Sequence, residues 1–403
     1  MRVTAQYPTF GEISGARMSK ELTFDEIRPY YDHEVNEALQ KITYDPSFLK
    51  ILNYLFPELD AVSFSEKIKG IHSIHEFQDQ FVYEALSRII KKTSKGLYSE
   101  GFESLDKNKS YIYLTNHRDI ILDSAFLNYL LFGMGFSTTE VAIGDNLLIN
   151  ESVASIARLN RNFIVHRNVP TKQLYDYSHR LSSYIRYTLK EKNMSIWIAQ
   201  KEGRAKEGND KTQPGVLKML GISSQESFVE TYRSLNIVPV SISYEYEPCD
   251  NLKAAEIFLK ESNIAYTKTR QDDRNSMISG VTEQKGRIQF SVGKVIDEEL
   301  EHIKDIPNKN DQIKELALII DRNIYLNYKL WPNNYIAFDL MTGHDAFQSE
   351  YTSEEKANFL AYLDERITKV PGDAAHLKKI MLRVYGNPVK NKMDAKQNLR
   401  AFI

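Results

Sequence analysis

The chain has 403 residues, enough for one large α/β core with helical additions, since single cores stop growing at roughly 250 to 300 residues. Apolar residues make up 42% and charged residues 26%, with 24 Tyr and 19 Phe, which excludes a disordered or low-complexity chain. A single cysteine, Cys249, excludes a disulfide framework and a thiolate metal cluster and fits a reducing compartment, and a net charge of -2 excludes a global pull toward nucleic acid or anionic lipid.

In chain order, the N-terminal residues hold no continuous apolar run of the secretory type, and Met18 offers a second start. Residues 1 to 95 read as a helical segment, with Phe24, Ile27, Tyr30 and Tyr31 in one patch and Phe48, Leu49, Leu52 and Leu55 at helical spacing. From 96 to 300 short β-rich runs alternate with helical stretches. They are Tyr111 to Leu114, Glu140 to Ile143, Asn162 to Val165, Ser195 to Ala199, Ile237 to Ser243 and Arg287 to Val292. That alternation predicts an α/β fold, a mainly parallel central sheet flanked by helices. The most apolar stretch, Ile120 to Phe136, is broken by Asp123, Ser124 and Asn128 and falls short of the ~20 residues that cross a bilayer. Residues 266 to 286 are polar enough to predict a mobile loop. Residues 301 to 403 return to helical spacing and end in a basic tail. There Leu377, Ile380, Met381, Val384 and Tyr385 form an apolar stripe among Lys378, Lys379, Arg383, Lys390, Lys392, Lys396 and Arg400. Such a helix reads either as a membrane-surface element or as one packed on the domain.

Four short blocks carry candidate chemistry. The strand YIYL runs into Thr115-Asn116-His117-Arg118-Asp119, which places an imidazole at the carboxyl end of a strand, where open α/β sheets put ligands. A carboxylate on its other nitrogen would make it a base, and Asp119 and Asp123 both lie near. A polar helix start accounts for the same residues equally well. SIWIA leads into Gln200-Lys201-Glu202-Gly203-Arg204, two cations beside a glycine that permits close backbone approach, a turn suited to phosphate or an ordinary solvated loop. Phe163-Ile164-Val165-His166-Arg167 offers a further cation, Arg167, whose ordinary fate is a surface ion pair. Val238-Pro239-Val240 is an apolar strand whose proline predicts an edge or a bend, able to border an acyl groove or simply to fill the core. The mimic of a kinase catalytic loop in His117-Arg118-Asp119 fails because Ser124 stands where an asparagine is required.

These blocks, NHRDIILD, FIVHR, QKEGRAKEG and IVPVSISYE, in this order over residues 105 to 297, resemble the glycerophosphate acyltransferase family. YEYEPCDNLKAAEIFLKE and GRIQFSVGKVI look like the glycerol-3-phosphate branch. The family spacing places its carboxylate at 122, which is Leu122 here, and aligning the helix that follows favours Asp123, with Asp119 the alternative. Gln200-Lys201 stands where the family often has Phe-Pro. The resemblance implies an acyltransferase domain over 96–300 in which His117 is the general base and Asp123 orients it. Arg204, with Lys201 and Arg167, would bind the acceptor phosphate in the pocket onto which His117 opens; Glu202 and Gly203 would shape the turn and Pro239 the acyl groove. It further implies an acyl-CoA or acyl-carrier-protein donor, no metal or other cofactor, and glycerol 3-phosphate or 1-acylglycerol 3-phosphate as acceptor in phospholipid biosynthesis. The expected setting is cytoplasmic, at the inner face of a membrane, with no nucleic acid. The alternatives are an amino-acid lipid as acceptor, or a non-catalytic lipid-binding protein that retains the fold.

Overall fold

The computed structural model describes residues 24–399; the expectations at the N-terminal residues before Phe24, including Met18, and at Arg400 lie outside the described residues. Seven strands form one sheet among the described residues: β1 Gly96–Glu100, β2 Ile112–Thr115, β3 Glu140–Gly144, β4 Asn162–Val165, β5 Ile196–Ala199, β6 Ile237–Tyr244 and β7 Arg287–Val292. Their order is β1-β7-β6-β2-β5-β3-β4. All neighbours pair in parallel except β6 and β7, so the expected mainly parallel α/β fold is the observed one. β2 and β6 are buried along their whole length, which is why they read as near-continuous apolar runs.

Period-two alternation sorts the strand residues between two cores. Ile112, Leu114, Ile196 and Ile198 face the helices Leu174–Lys190 and Lys309–Leu326. Tyr111, Tyr113, Trp197, Val238 and Val240 face the helices Tyr83–Thr93 and Leu122–Gly133. N-terminal helices between Asp32 and Thr93 bury Val35, Leu39, Phe48, Leu52, Phe64 and Phe81 in a cluster of their own. No described helix is long and apolar enough to cross a membrane.

Two expectations are corrected, and the open alternative at the C-terminus is decided. Residues 270 to 282 of the expected mobile loop form a helix, Arg270–Thr282, opened by a reciprocal capping box between Thr269 and Asp272. It lacks an apolar stripe because its inner face, Asp273, Ser276 and Gly280, packs on polar turns. Pro239 does not lie on an edge, for β6 is interior, between β2 and β7. Its carbonyl accepts from Gly293, one residue past the end of β7, so the missing N–H falls where the neighbouring ladder has stopped. The apolar stripe of the C-terminal helix Ala374–Leu399 faces the protein: Leu377, Ile380, Met381, Val384 and Tyr385 are buried against helices Asp250–Glu261, Pro332–Thr342 and Ser353–Thr368. That face is closed to a bilayer.

Candidate active site

The site begins where β2 ends. Asn116 extends the strand with its side chain, Nδ2 donating to the Ile242 carbonyl (2.9 Å) and Oδ1 accepting from the Ile242 N–H (2.7 Å). This ties the turn that follows to β6. His117 Nδ1 then lies 2.9 Å from Asp123 Oδ2, and its ring stands edge-on to Trp197 at 5.4 Å between centroids. Asp123 is fully buried in the first turn of Leu122–Gly133. Besides the imidazole, its Oδ2 accepts the backbone N–H of Arg118 (2.5 Å) and of Asp119 (2.9 Å), and its Oδ1 accepts the Tyr244 hydroxyl (2.9 Å). Two backbone N–H groups, the Tyr244 hydroxyl and the imidazole contact together hold this carboxylate in place, the condition for orienting a neighbouring imidazole.

Asp119 does a different job. Its Oδ1 accepts from Ile121 N–H (2.9 Å) and Leu122 N–H (2.8 Å), closing the turn before the helix. The residue by which this chain exceeds the expected spacing is absorbed in that turn. The other oxygen of Asp119 is buried without a hydrogen-bond partner, and burial, then the charge of Asp123, pushes this carboxyl up from its ordinary range. Gly280 of the helix Arg270–Thr282 sits directly on it; a β-carbon there would come within 2.1 Å of Asp119 Oδ2.

Arg118 points away from the imidazole into a buried ionic cluster. It donates to Asp210 (2.5 Å), which also accepts the Tyr328 hydroxyl, and Lys253 donates both to Glu247 (2.5 Å) and to the Arg118 carbonyl (2.8 Å). The peptide linking His117 to Asp119 is thus held from both sides. Such clusters fix geometry more than they stabilise, because removing one member strands the others.

The turn after β5 runs alongside. Gln200 N–H donates to the Thr115 carbonyl (2.8 Å) and Ala205 N–H to the His117 carbonyl (2.9 Å), so the Glu-Gly-Arg turn is bonded to the histidine's own backbone. Gly203 has a φ of +71° with open space around it, and Gly208, at +72°, packs on the Val384 carbonyl, where a β-carbon would come within 2.3 Å. Val384 O is the carbonyl that Pro388, four residues on in the same helix, cannot satisfy. Asn387 Nδ2 also donates to the Glu207 carbonyl (2.6 Å). The C-terminal helix therefore buttresses this turn.

Within the turn the side chains separate. Arg204 is buried, 6% exposed, its Nη1 without a hydrogen-bond partner. It borders a cavity of about 120 Å³ together with Lys206, Lys253, Glu256, Tyr266 and Lys268. Lys206 is paired with Glu256 there, yet burial pulls its ammonium down to about 8 against that carboxylate's opposing effect. Arg167 lies outside this cavity, over Gly144, with Nη1 3.1 Å from Glu202 Oε1 at the surface. Lys201 is half-buried and lines no described cavity; Pro239 is enclosed in the sheet. Of the three expected phosphate cations, then, the fold brings Arg204 to a cavity, and there it joins Lys206 and Lys268 in place of Lys201 and Arg167. His117 does not line that cavity; backbone bonds connect the two. Tyr244 and Lys206 escaped the sequence reading. Tyr244 sits 121 residues from its partner with no local sign of it, whereas Lys206, two residues beyond Arg204, was open to inference from the charge pattern.

No family model and no curated protein matches the chain. Among solved structures, the 1-acyl-sn-glycerophosphate (LPA) acyltransferase PlsC from Thermotoga maritima aligns with 70% of this chain and 91% of its own, at 14% identity and a TM-score of 0.33. At that identity and score nothing about the reaction follows from the likeness.

Proposed function

We propose that the protein transfers a fatty acyl group from a thioester, acyl-CoA or acyl-carrier-protein, to a hydroxyl of a phosphate-bearing glycerol-type acceptor such as glycerol 3-phosphate or its 1-acyl derivative. The observation that carries this reading is the part-buried His117 held by the buried Asp123 at the end of β2, bonded through backbone to a turn whose Arg204 keeps a free Nη1 in a cation-lined cavity. The ordered sequence blocks point the same way.

With Nδ1–H donated to Asp123, Nε2 of His117 is the basic nitrogen. It takes the proton of the acceptor hydroxyl as that oxygen attacks the thioester carbonyl. The tetrahedral adduct collapses, the C–S bond breaks, and the thiolate recovers the proton from the imidazolium, whose charge Asp123 balances. No acyl-enzyme is required. Arg204, Lys206 and Lys268 receive the acceptor phosphate through charge-assisted bonds. The protein works at the cytoplasmic face of a membrane, because a donor or product of this class is an amphiphile.

Purified protein given labelled acyl-CoA and glycerol 3-phosphate should release free CoA and form a labelled lipid. Protein that binds lipid but releases no CoA with any phosphate-bearing glycerol acceptor would be a scaffold instead. The departure of the carboxylate from position 122 is no argument for a scaffold, with Asp123 Oδ2 2.9 Å from His117 Nδ1.

A further inference from the structure

The helix Arg270–Thr282 lies over the polar turns at the carboxyl ends of β2 and β3, and its acidic residues are all engaged. Asp273 pairs with Lys268 and accepts from Asn146 (3.2 Å), and Asp272 accepts the Thr269 N–H (2.7 Å) and hydroxyl (2.8 Å) at the helix start. Glu283, just past the end, accepts from Arg366 (2.9 Å). The Ser276 carbonyl accepts from Cys249 Sγ (3.2 Å), and Gly280 rests on Asp119. The opposite face is different in kind. Arg270, Arg274 and Ile278 follow at i, i+4 and i+8 in one exposed row. Neither arginine has a hydrogen-bond or ion-pair partner among the described residues, and Ile278 is 53% exposed. Ile121, 38% exposed, lies two residues after the Asp119 that Gly280 touches.

The geometry points to this row as the surface by which the protein docks on an anionic lipid bilayer, the two arginines meeting lipid phosphates and Ile278 entering the interface. Two uncompensated guanidinium groups in line with an exposed isoleucine complement an anionic, partly apolar surface. The C-terminal helix does not compete for the role. Its apolar stripe is buried, and Lys378, Arg383 and Lys390 are taken up by Asp364, Glu261 and Asp394. The choice of a lipid occupant rests on the proposed acyl transfer, since the helix that bears the row packs on Asp119, two residues after His117, and lines the cavity of Arg204 through Ser276.

Flotation of the full-length chain with vesicles of phosphatidylcholine alone, or with phosphatidylglycerol added, tests this at low and moderate salt. Binding is expected with the anionic vesicles only, weakened by salt. The double variant Arg270→Gln/Arg274→Gln should bind roughly thirtyfold more weakly, about fivefold for each cation removed, with an unchanged melting temperature because neither side chain has a partner to lose. Lys379→Gln/Lys396→Gln on the C-terminal helix should bind as the parent does. In Ile278→Trp, fluorescence should shift to the blue on adding anionic vesicles. The inference is overturned if the arginine variant binds normally, if the loss appears in the lysine variant instead, or if the chain ignores vesicles and retains single-stranded RNA. Vesicle binding needs no turnover, so a chain that docks without transferring acyl groups sinks the catalytic reading alone, and one that transfers without docking sinks this one alone.

Discussion

Two histidine–aspartate pairs stand at carboxyl ends of strands in the same sheet, one after β2 and one between β3 and β4, and distance alone does not tell them apart. His117 Nδ1 to Asp123 and His166 Nδ1 to Asp145 both measure 2.9 Å. Around the first, the carboxylate is fully buried and takes three further donors, from two backbone N–H groups and Tyr244. Around the second, Asp145 is 34% exposed and its additional bond is a 3.3 Å contact from Arg167 N–H. The cations divide the same way: Arg204 and Lys206 border a cavity, while Arg167 pairs with Glu202 at the surface. A base is made by the fixity of the acid behind it, because a solvated carboxylate can leave the imidazole at little cost.

The widest way to break this comparison is to delete each ring. His117→Ala should lower turnover by about two to four orders of magnitude, the span of a lost general base. His166→Ala should stay within about twofold, as surface changes worth under ~0.5 kcal/mol do. Steady-state assay of both with one donor and one acceptor decides it; equal losses would mean the surroundings do not matter. A smaller effect separates the carboxylates. Tyr244→Phe leaves Asp123 Oδ1 buried and unpartnered, which should cost about 1–3 kcal/mol of stability. Turnover should fall roughly tenfold, ~1.4 kcal/mol of lost orientation, with the Michaelis constant for the acceptor unchanged. If melting and turnover both match the parent, the hydroxyl is incidental.

The part of this arrangement that sequence discloses is the part made by local patterns. β4 and β7 fall where Asn162 to Val165 and Arg287 to Val292 were expected, because β-branched and aromatic runs bounded by polar turns leave few other options. β1 escaped, for GLYSE opens with glycine and carries polar residues, and it is a strand through its partner β7 some 190 residues away. The helix over the site escaped because it packs on polar turns, where Gly280 and Ser276 are required and an apolar stripe is not. The C-terminal stripe was legible as a stripe, but periodicity does not say what covers it. Likewise the order of the blocks marked His117 and Arg204, while the inward turn of Arg204 and the outward turn of Arg167 depend on which strand neighbours which.

The mildest test concerns the cations. Lys206 is drawn down to about 8 by burial, below the ~10.4 of an exposed lysine. Between those values the folded protein holds the proton less often than the unfolded chain does. Stability from this group therefore rises with pH across that window, by at most ~1.4 kcal/mol per unit. Function should move oppositely if Lys206 meets the acceptor phosphate as proposed, because its charge is present below about pH 8 and lost above it. The Michaelis constant for glycerol 3-phosphate should then climb a few-fold, roughly 3 to 5, as pH passes from 7 to 9, the worth of one charged hydrogen bond partly screened. In Lys206→Arg, whose guanidinium stays charged, both trends should flatten. Arg167→Gln, at the outer pair, should leave the pH profile as it is. A profile that follows Arg167 and ignores Lys206 would place the phosphate at the surface, beside the exposed histidine, and reverse the ranking of the two regions.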